Sequence, residues 1–151
     1  MSDETLDART AAVRALEAEF GSLMRTFRRI IAESADRFSP GMLPGVYKVF
    51  TVIARRESVT LSALADALEA DKGQTSRAVR ELEELGLVQR TPDPDDRRSH
   101  LISPTPEGLE RFATARAPQH SRHLAKLADW SVEDIEELTH LLQAFAAGEA
   151  P

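Results

Sequence analysis

TLSALADALEA (60–70), DKGQTSRAVRELEELG (71–86) and LVQRTPDPDDRRSHLIS (87–103) follow one another without a gap. In the first run, Leu61, Leu64, Ala65 and Leu68 recur at helical spacing behind Thr60, a residue type whose hydroxyl caps helix N-termini. This predicts a short helix over about Leu61–Glu69. In the second run, Asp71 and Gln74 have the spacing of a capping box, in which Asp71 accepts from the N3 amide and Gln74 reaches back. The helix they start extends over about Lys72–Leu85, with Thr75, Ala78, Val79, Leu82 and Leu85 inward, and Gly86 stops it at C′. In the third run, Leu87–Arg90 reads as a strand and Thr91–Arg98 as a turn whose prolines and aspartates favour a tight polar tip. Ser99–Ser103 reads as a returning strand. Two short helices, a tight corner and a charged hairpin make a winged helix-turn-helix.

The flanks are helical. Thr5–Phe38 reads as one long amphipathic helix with Leu16, Phe20, Leu23, Phe27 and Ile30 along a seam, broken by Ser39-Pro40-Gly41. A helix over about Pro44–Arg56 carries Val46, Val49, Phe50 and Ile53 on one face, with proline tolerated in its first turn. After the hairpin, Thr105 and Pro106 open a helix in which Leu109 and Phe112 continue the apolar face. Pro118 is expected to kink or end it, because its ring meets the carbonyl of Thr114. Ser131 caps a terminal helix with Val132, Ile135, Leu138, Leu142 and Phe145 on one seam, closed by Gly148. The expected fold is mainly α with a small β-hairpin wing. It forms a single domain over 1–151, with a winged core at 43–108 and dimerisation helices at 5–38 and 106–147. The two outer seams offer more apolar face than one small winged unit can cover, which favours pairing between two copies.

Charge is the deciding question for function. With 25 acidic and 19 basic residues among 151, the net charge is −6, which by the global criterion argues against nucleic acid. A basic edge can override that average. Lys72, Arg77 and Arg80 lie in the first two-thirds of the second short helix, while Glu81, Glu83 and Glu84 crowd its end. The helix dipole favours the reverse, and each misplaced terminal charge costs about 0.3–1 kcal/mol at low salt. The i,i+4 pairs Arg77–Glu81 and Arg80–Glu84 have the poorer orientation and recover only about 0.2–0.5 kcal/mol each. Insertion of the leading end into the major groove explains this polarity, and a solvated face of mixed charge is the plain alternative. On the first reading Lys72, Gln74, Thr75, Ser76, Arg77 and Arg80 form the DNA-binding set. Gln on adenine and Arg on guanine each discriminate by about 1–3 kcal/mol. At the hairpin tip Asp93, Asp95 and Asp96 neighbour Arg97 and Arg98. A carboxylate can hold an arginine extended toward a narrow minor groove, or the tip is a hydrated turn with local ion pairs. His100, in the returning strand, is placed to touch phosphate.

The runs Thr60–Ala65, Asp71–Arg77 and Leu82–Arg90 resemble the DNA-binding core of the MarR family, the multiple antibiotic resistance regulators. PDPDDRRSHL (92–101), followed by TPEG (105–108), is similar to that family's wing signature, whose Asp-x-Arg falls on Asp96-Arg97-Arg98. The resemblance covers about Leu43–Gly108 in its motifs and the flanking helices in layout. It implies a homodimeric transcription factor with interleaved terminal helices and a DNA affinity that responds to a small ligand. It further implies that Arg98 is the minor-groove arginine and that Asp96 orients it. The family also suggests an effector pocket, for which this chain offers Phe27, Tyr47 and Phe50 with Arg28 for an anion, residues that serve equally as plain core. Three positions depart from the pattern: Glu69 stands where glycine is frequent, Pro104 is expected to shorten the returning strand, and Pro118 interrupts a long helix.

Several classes fall away. Without cysteine there is no disulfide, thiol catalysis or thiolate zinc site. No apolar run is long enough to span a membrane, and the acidic start lacks a signal peptide's basic region, so a soluble cytoplasmic protein without a membrane partner is expected. No G-x-S-x-G, phosphate loop or H-E-x-x-H is present, so no enzyme and no cofactor is expected. His120 and His123 share a helix face, but a zinc site would need a carboxylate from elsewhere, and no metal is assigned. The expectation is a sequence-specific double-stranded DNA-binding regulator, a repressor released by a small effector, acting as a homodimer on a near-palindromic operator. Its half-sites would lie about 34–36 Å apart. A winged-helix protein–protein module without DNA binding and a zinc-responsive regulator are the rivals.

Overall fold

Thr60 and Asp71 each start a helix with one side-chain oxygen. In the computed structural model, which describes residues 3–96 and 98–150, Thr60 Oγ1 accepts from the Ala63 amide at 3.3 Å and Asp71 Oδ1 from the Gln74 amide at 2.9 Å. Among the described residues Gln74 returns no bond to Asp71, so half of the expected capping box forms. The elements are α1 (Asp3–Phe38), α2 (Pro44–Arg56), β1 (Val59–Thr60), α3 (Leu61–Leu68), α4 (Lys72–Glu84), β2 (Val88–Pro92), β3 (His100–Pro104), α5 (Pro106–Lys126) and α6 (Val132–Ala147). They group into two compact units, Met1–Ala115 and Arg116–Pro151.

Both helices of the helix-turn-helix close with the same paired hydrogen bonds. At the end of α4, Leu87 N donates to Leu82 O and Gly86 N to Glu83 O, each at 2.9 Å, around Gly86 at φ +71°. At the end of α3, Ala70 N donates to Ala65 O at 3.0 Å and Glu69 N to Asp66 O at 3.1 Å, around Glu69 at φ 49° and ψ 39°. This is the Schellman arrangement, with a left-handed residue at its centre. A glutamate therefore takes the backbone conformation that glycine takes 17 residues later, and the corner keeps its shape despite the departure at position 69.

The sheet order is β1-β3-β2, antiparallel throughout, with Thr60 opposite Leu101 and Arg90 opposite Ile102. β1 was not foreseen, because two residues are too short to show alternation. Pro104 does not shorten β3; it forms its last rung, opposite Val88, where a missing amide is tolerated. Pro118 does not end α5, which continues to Lys126, and the boundary between the compact units falls just before it.

The core of the first unit is aromatic at its centre. Phe38, Tyr47, Phe50 and Phe112 pack with ring centroids 4.5–6.4 Å apart, and Ile53, Leu64, Val79, Leu82, Leu87 and Ile102 surround them. Thr105 ties α5 to this core: its hydroxyl donates to Gly86 O at 2.7 Å and its amide to Leu87 O at 3.0 Å, and Gly108 N donates to Thr105 Oγ1 at 3.1 Å. Leu85 and Leu109, expected inward, are exposed. Several residues of the two outer seams are exposed as well. Leu16, Leu23 and Phe27 on α1 and Leu138, Leu142 and Phe145 on α6 are exposed, and α6 has no buried residue.

Candidate nucleic-acid interface

The cap on Asp71 fixes which side chains lead α4. Lys72 follows it, and its ammonium donates to Ser62 Oγ on α3 at 2.8 Å. Gln74, Arg77 and Arg80 are exposed and Ser76 is half-buried. Thr75 is not a surface residue: it is 2% exposed and its hydroxyl donates to Asp71 O at 2.9 Å. It belongs to the inner stripe with Val79 and Leu82, because the 3.6-residue period that exposes Gln74 and Arg77 turns position 75 to the core.

Neither Arg77–Glu81 nor Arg80–Glu84 forms an ion pair among the described residues, in keeping with the poorer orientation of such pairs. Glu83 instead crosses to β2 and accepts from Arg90 Nε at 3.1 Å. Arg77 and Arg80 thus stand exposed without an acidic partner among the described residues, while one of the trailing glutamates is tied to the sheet.

The wing tip is organised by its aspartates acting on backbone. Asp93 Oδ1 accepts from the Asp95 amide at 3.0 Å and Asp96 Oδ1 from the Arg98 amide at 2.9 Å. Asp93 N to Ser99 O at 3.1 Å and Ser99 N to Asp96 O at 2.9 Å close the loop. These are Asx turns. Asp96 therefore fixes Arg98 through its amide, and among the described residues the Arg98 guanidinium has no ion-pair partner. Arg97 lies outside the described residues.

Lys72 at the front of α4 and Arg98 in the wing line one cavity of about 210 Å³. Gln74 and Arg77 line another, of about 500 Å³, on the α2 side of the same helix together with Lys48. Of the four residues considered for an effector, Tyr47 and Phe50 are enclosed in the aromatic core, and Phe27 and Arg28 are exposed on α1. Among the described residues no group of three histidine, aspartate or glutamate side chains is placed to hold a metal ion. No helix of the described residues is long and apolar enough to cross a membrane. Sequence reasoning passed over Arg90; the signal available was its place next to the tip, one rung from Thr91, on the strand that faces the end of α4.

A capped leading helix with bare arginines, a corner closed by a left-handed residue and a hairpin beside them define a winged helix-turn-helix protein. Residues 41–99 match the model of the MarR family. It is 38% identical over 73 residues to a putative transcriptional regulatory protein for the hcr operon of Thauera aromatica, covering 48% of this chain and 44% of that protein. It is 26% identical over 99 residues to the uncharacterized HTH-type transcriptional regulator YybA of Bacillus subtilis, covering 65% of each. The chain thus spans 44–65% of the length of these relatives. Its fold is similar to that of a MarR transcriptional regulator from Methanosarcina mazei, with TM-score 0.71, 21% identity, and 89% and 96% of the two chains covered. It is also similar to the MarR family transcription regulator SP03579, with TM-score 0.80, 19% identity, and 95% and 93% covered.

Proposed function

We propose that the chain is a sequence-specific double-stranded DNA-binding transcriptional regulator, a repressor that acts as a homodimer. The observation that carries this reading is the set of exposed arginines in the first two-thirds of α4, without acidic partners among the described residues, flanked by a wing whose Arg98 shares a cavity with Lys72. Lys72 contacts phosphate and positions the helix, Gln74, Arg77 and Arg80 read base edges, and Arg98, the arginine that the family resemblance assigns to the minor groove, meets the duplex at the sugar–phosphate edge of that groove. Thr75 is withdrawn from that set because its hydroxyl is engaged inside the helix. Asp96 contributes by holding the Arg98 backbone, and Arg97 completes the wing's basic pair. The names of relatives in both Thauera and Bacillus, as transcriptional regulators, support the same reading.

Pairing of two copies is supported by the exposed leucines of both seams, Leu16 and Leu23 on α1 and Leu138 and Leu142 on α6. A two-fold dimer reads a near-palindromic operator. Release by a small organic ligand, with Phe27 and Arg28 on α1 as the accessible part of its site, would act by favouring dimers whose reading helices are wrongly spaced.

The deciding experiment is fluorescence anisotropy of the full chain on the DNA upstream of its own coding sequence, at increasing salt. Affinity falling steeply between low and moderate salt supports the reading, since each phosphate contact releases counterions. Arg77→Ala should relax base preference, whereas Arg98→Ala should weaken all duplexes alike. Salt-independent or absent binding refutes the DNA reading and leaves the protein–protein module.

A further inference from the structure

The cavity that joins α4 to the wing has a composition of its own. Its polar lining is Ser62 from α3, Lys72 from α4, Arg90 from β2, and Arg98, Ser99 and His100 from the returning arm of the hairpin. No carboxylate lines it among the described residues. Lys72, Arg90 and Arg98 bring three permanent cations to the wall of a space of about 210 Å³, and among the described residues only Arg90 has a carboxylate partner, Glu83.

The hydrogen bonds already made leave donors over. Ser62 Oγ accepts from Lys72 Nζ, so its own O–H remains to donate, and the ammonium keeps N–H groups that Ser62 does not use. Arg90 is held by one bond, from Nε to Glu83, which leaves the terminal N–H groups of its guanidinium without a partner among the described residues. Arg98 is fixed at its amide by Asp96 and has its whole guanidinium unengaged among them. The residues that carry these donors line the cavity from α3, α4, β2 and the wing. A planar carboxylate presents two oxygens in one plane, whereas a tetrahedral phosphate presents oxygens in several directions and matches such a set. At about 30 Å³ per water, the space takes a phosphate group with several waters around it.

Resting on the DNA-binding reading, we propose that this cavity seats one backbone phosphate of the bound duplex, with Arg90 and Ser62 as ligands beside Lys72 and Arg98. Glu83 is the positioning residue that aims Arg90. Occupancy ties the wing to the front of α4, so that reading helix and wing engage the duplex as one body. The acidic end of α4 thereby has a use: one of its glutamates anchors the cation that the helix itself cannot place there.

The test measures dissociation constants of the full chain for its upstream duplex and for an unrelated duplex across a salt series. Arg90→Gln is expected to weaken both by the same factor, about tenfold at low salt, and to lower the slope of log Kd against log salt by about 1. Ser62→Ala is expected to weaken both duplexes a few-fold with the slope unchanged, since no charge is removed. If Arg90→Gln does not fold by circular dichroism, Arg90→Lys keeps the charge and loses the guanidinium fork; retained slope with weaker binding of both duplexes then supports the seat, and unchanged affinity overturns it. Steep salt dependence in the parent protein with an unchanged slope in Arg90→Gln overturns the seat and leaves DNA binding standing. Absence of salt-dependent binding in the parent protein overturns both. Thermal protection by inorganic phosphate over chloride, lost in Arg90→Gln while DNA affinity is untouched, would assign the cavity to free phosphate and overturn the DNA occupant.

Discussion

Gly108 lies directly against the backbone of Leu87: a methyl group at position 108 would overlap the Leu87 carbonyl oxygen and come within 2.9 Å of Phe50 Cε2. The same carbonyl accepts from the Thr105 amide at 3.0 Å, so the first turn of α5 and the start of β2 are clamped around it. Gly108→Ala is therefore expected to destabilise the fold by about 1–3 kcal/mol, the range for overpacking a filled core. A lower urea midpoint at unchanged slope is the expected reading, and an unchanged midpoint would show that this approach is not tight in solution.

Glu69 sits at φ 49° in the turn between α3 and α4, with both closing hydrogen bonds in place. A side chain in the left-handed region costs about 1–2 kcal/mol, and the extra freedom of glycine in the unfolded chain costs about 0.5–1 kcal/mol. The first term is the larger, so Glu69→Gly is expected to stabilise the protein by about 0.5–1 kcal/mol, seen as a raised urea midpoint. A lowered midpoint would mean that the Glu69 side chain makes a contribution greater than its strain.

Asp96 offers a prediction whose sign separates two causes. Removing a carboxylate beside an arginine proposed to meet DNA should tighten binding if only charge mattered. Asp96 holds the Arg98 amide at 2.9 Å, however, and its loss frees the turn that presents Arg98. Asp96→Ala is expected to weaken operator binding several-fold in anisotropy. Tighter binding would show that charge outweighs placement at this tip.

Helix existence and capping were legible because each depends on neighbours in sequence: Thr60 and Ala63, Asp71 and Gln74, Ser131 and Asp134 lie three residues apart. The helix-turn-helix was legible for the same reason, and a strong wing motif fixed the hairpin to within two residues, Thr91 and Pro92 extending β2 where a turn was expected. What the sequence hid depends on distant partners. β1 exists only because Val59 and Thr60 meet Ile102 and Leu101. Glu83, read only as part of the acidic end of its helix, pairs with Arg90, seven residues away across a turn. Tyr47 and Phe50 were read as pocket candidates because an aromatic pattern does not tell a filled space from an empty one; Phe38 and Phe112 fill it.

The seams on α1 and α6 carry a prediction about assembly. Leu23 is 44% exposed and Leu142 45% exposed, positions that would be costly to leave in water along a whole seam. Leu23→Glu combined with Leu142→Glu is expected to convert a dimer to a monomer in sedimentation velocity, with the helical circular dichroism of the winged unit retained. A dimer that survives both changes would place the contact elsewhere.

Thr75 closes the account of α4, because its two readings predict opposite phenotypes. As a DNA ligand, its hydroxyl would be needed for affinity and dispensable for folding. In the structure the hydroxyl donates to Asp71 O and the side chain is 2% exposed, between the cap and the core. Thr75→Val keeps the shape and removes the donor, leaving the Asp71 carbonyl with the Thr75 amide bond at 2.9 Å that it already accepts. Loss of one such hydrogen bond costs about 0.5–1.5 kcal/mol. The expected outcome is thus a lowered urea midpoint with operator affinity and salt slope unchanged at temperatures where the variant is folded. A fall in affinity at full folding, with discrimination between operator and unrelated DNA reduced, would return the hydroxyl to the duplex and require α4 to rotate about its axis on binding.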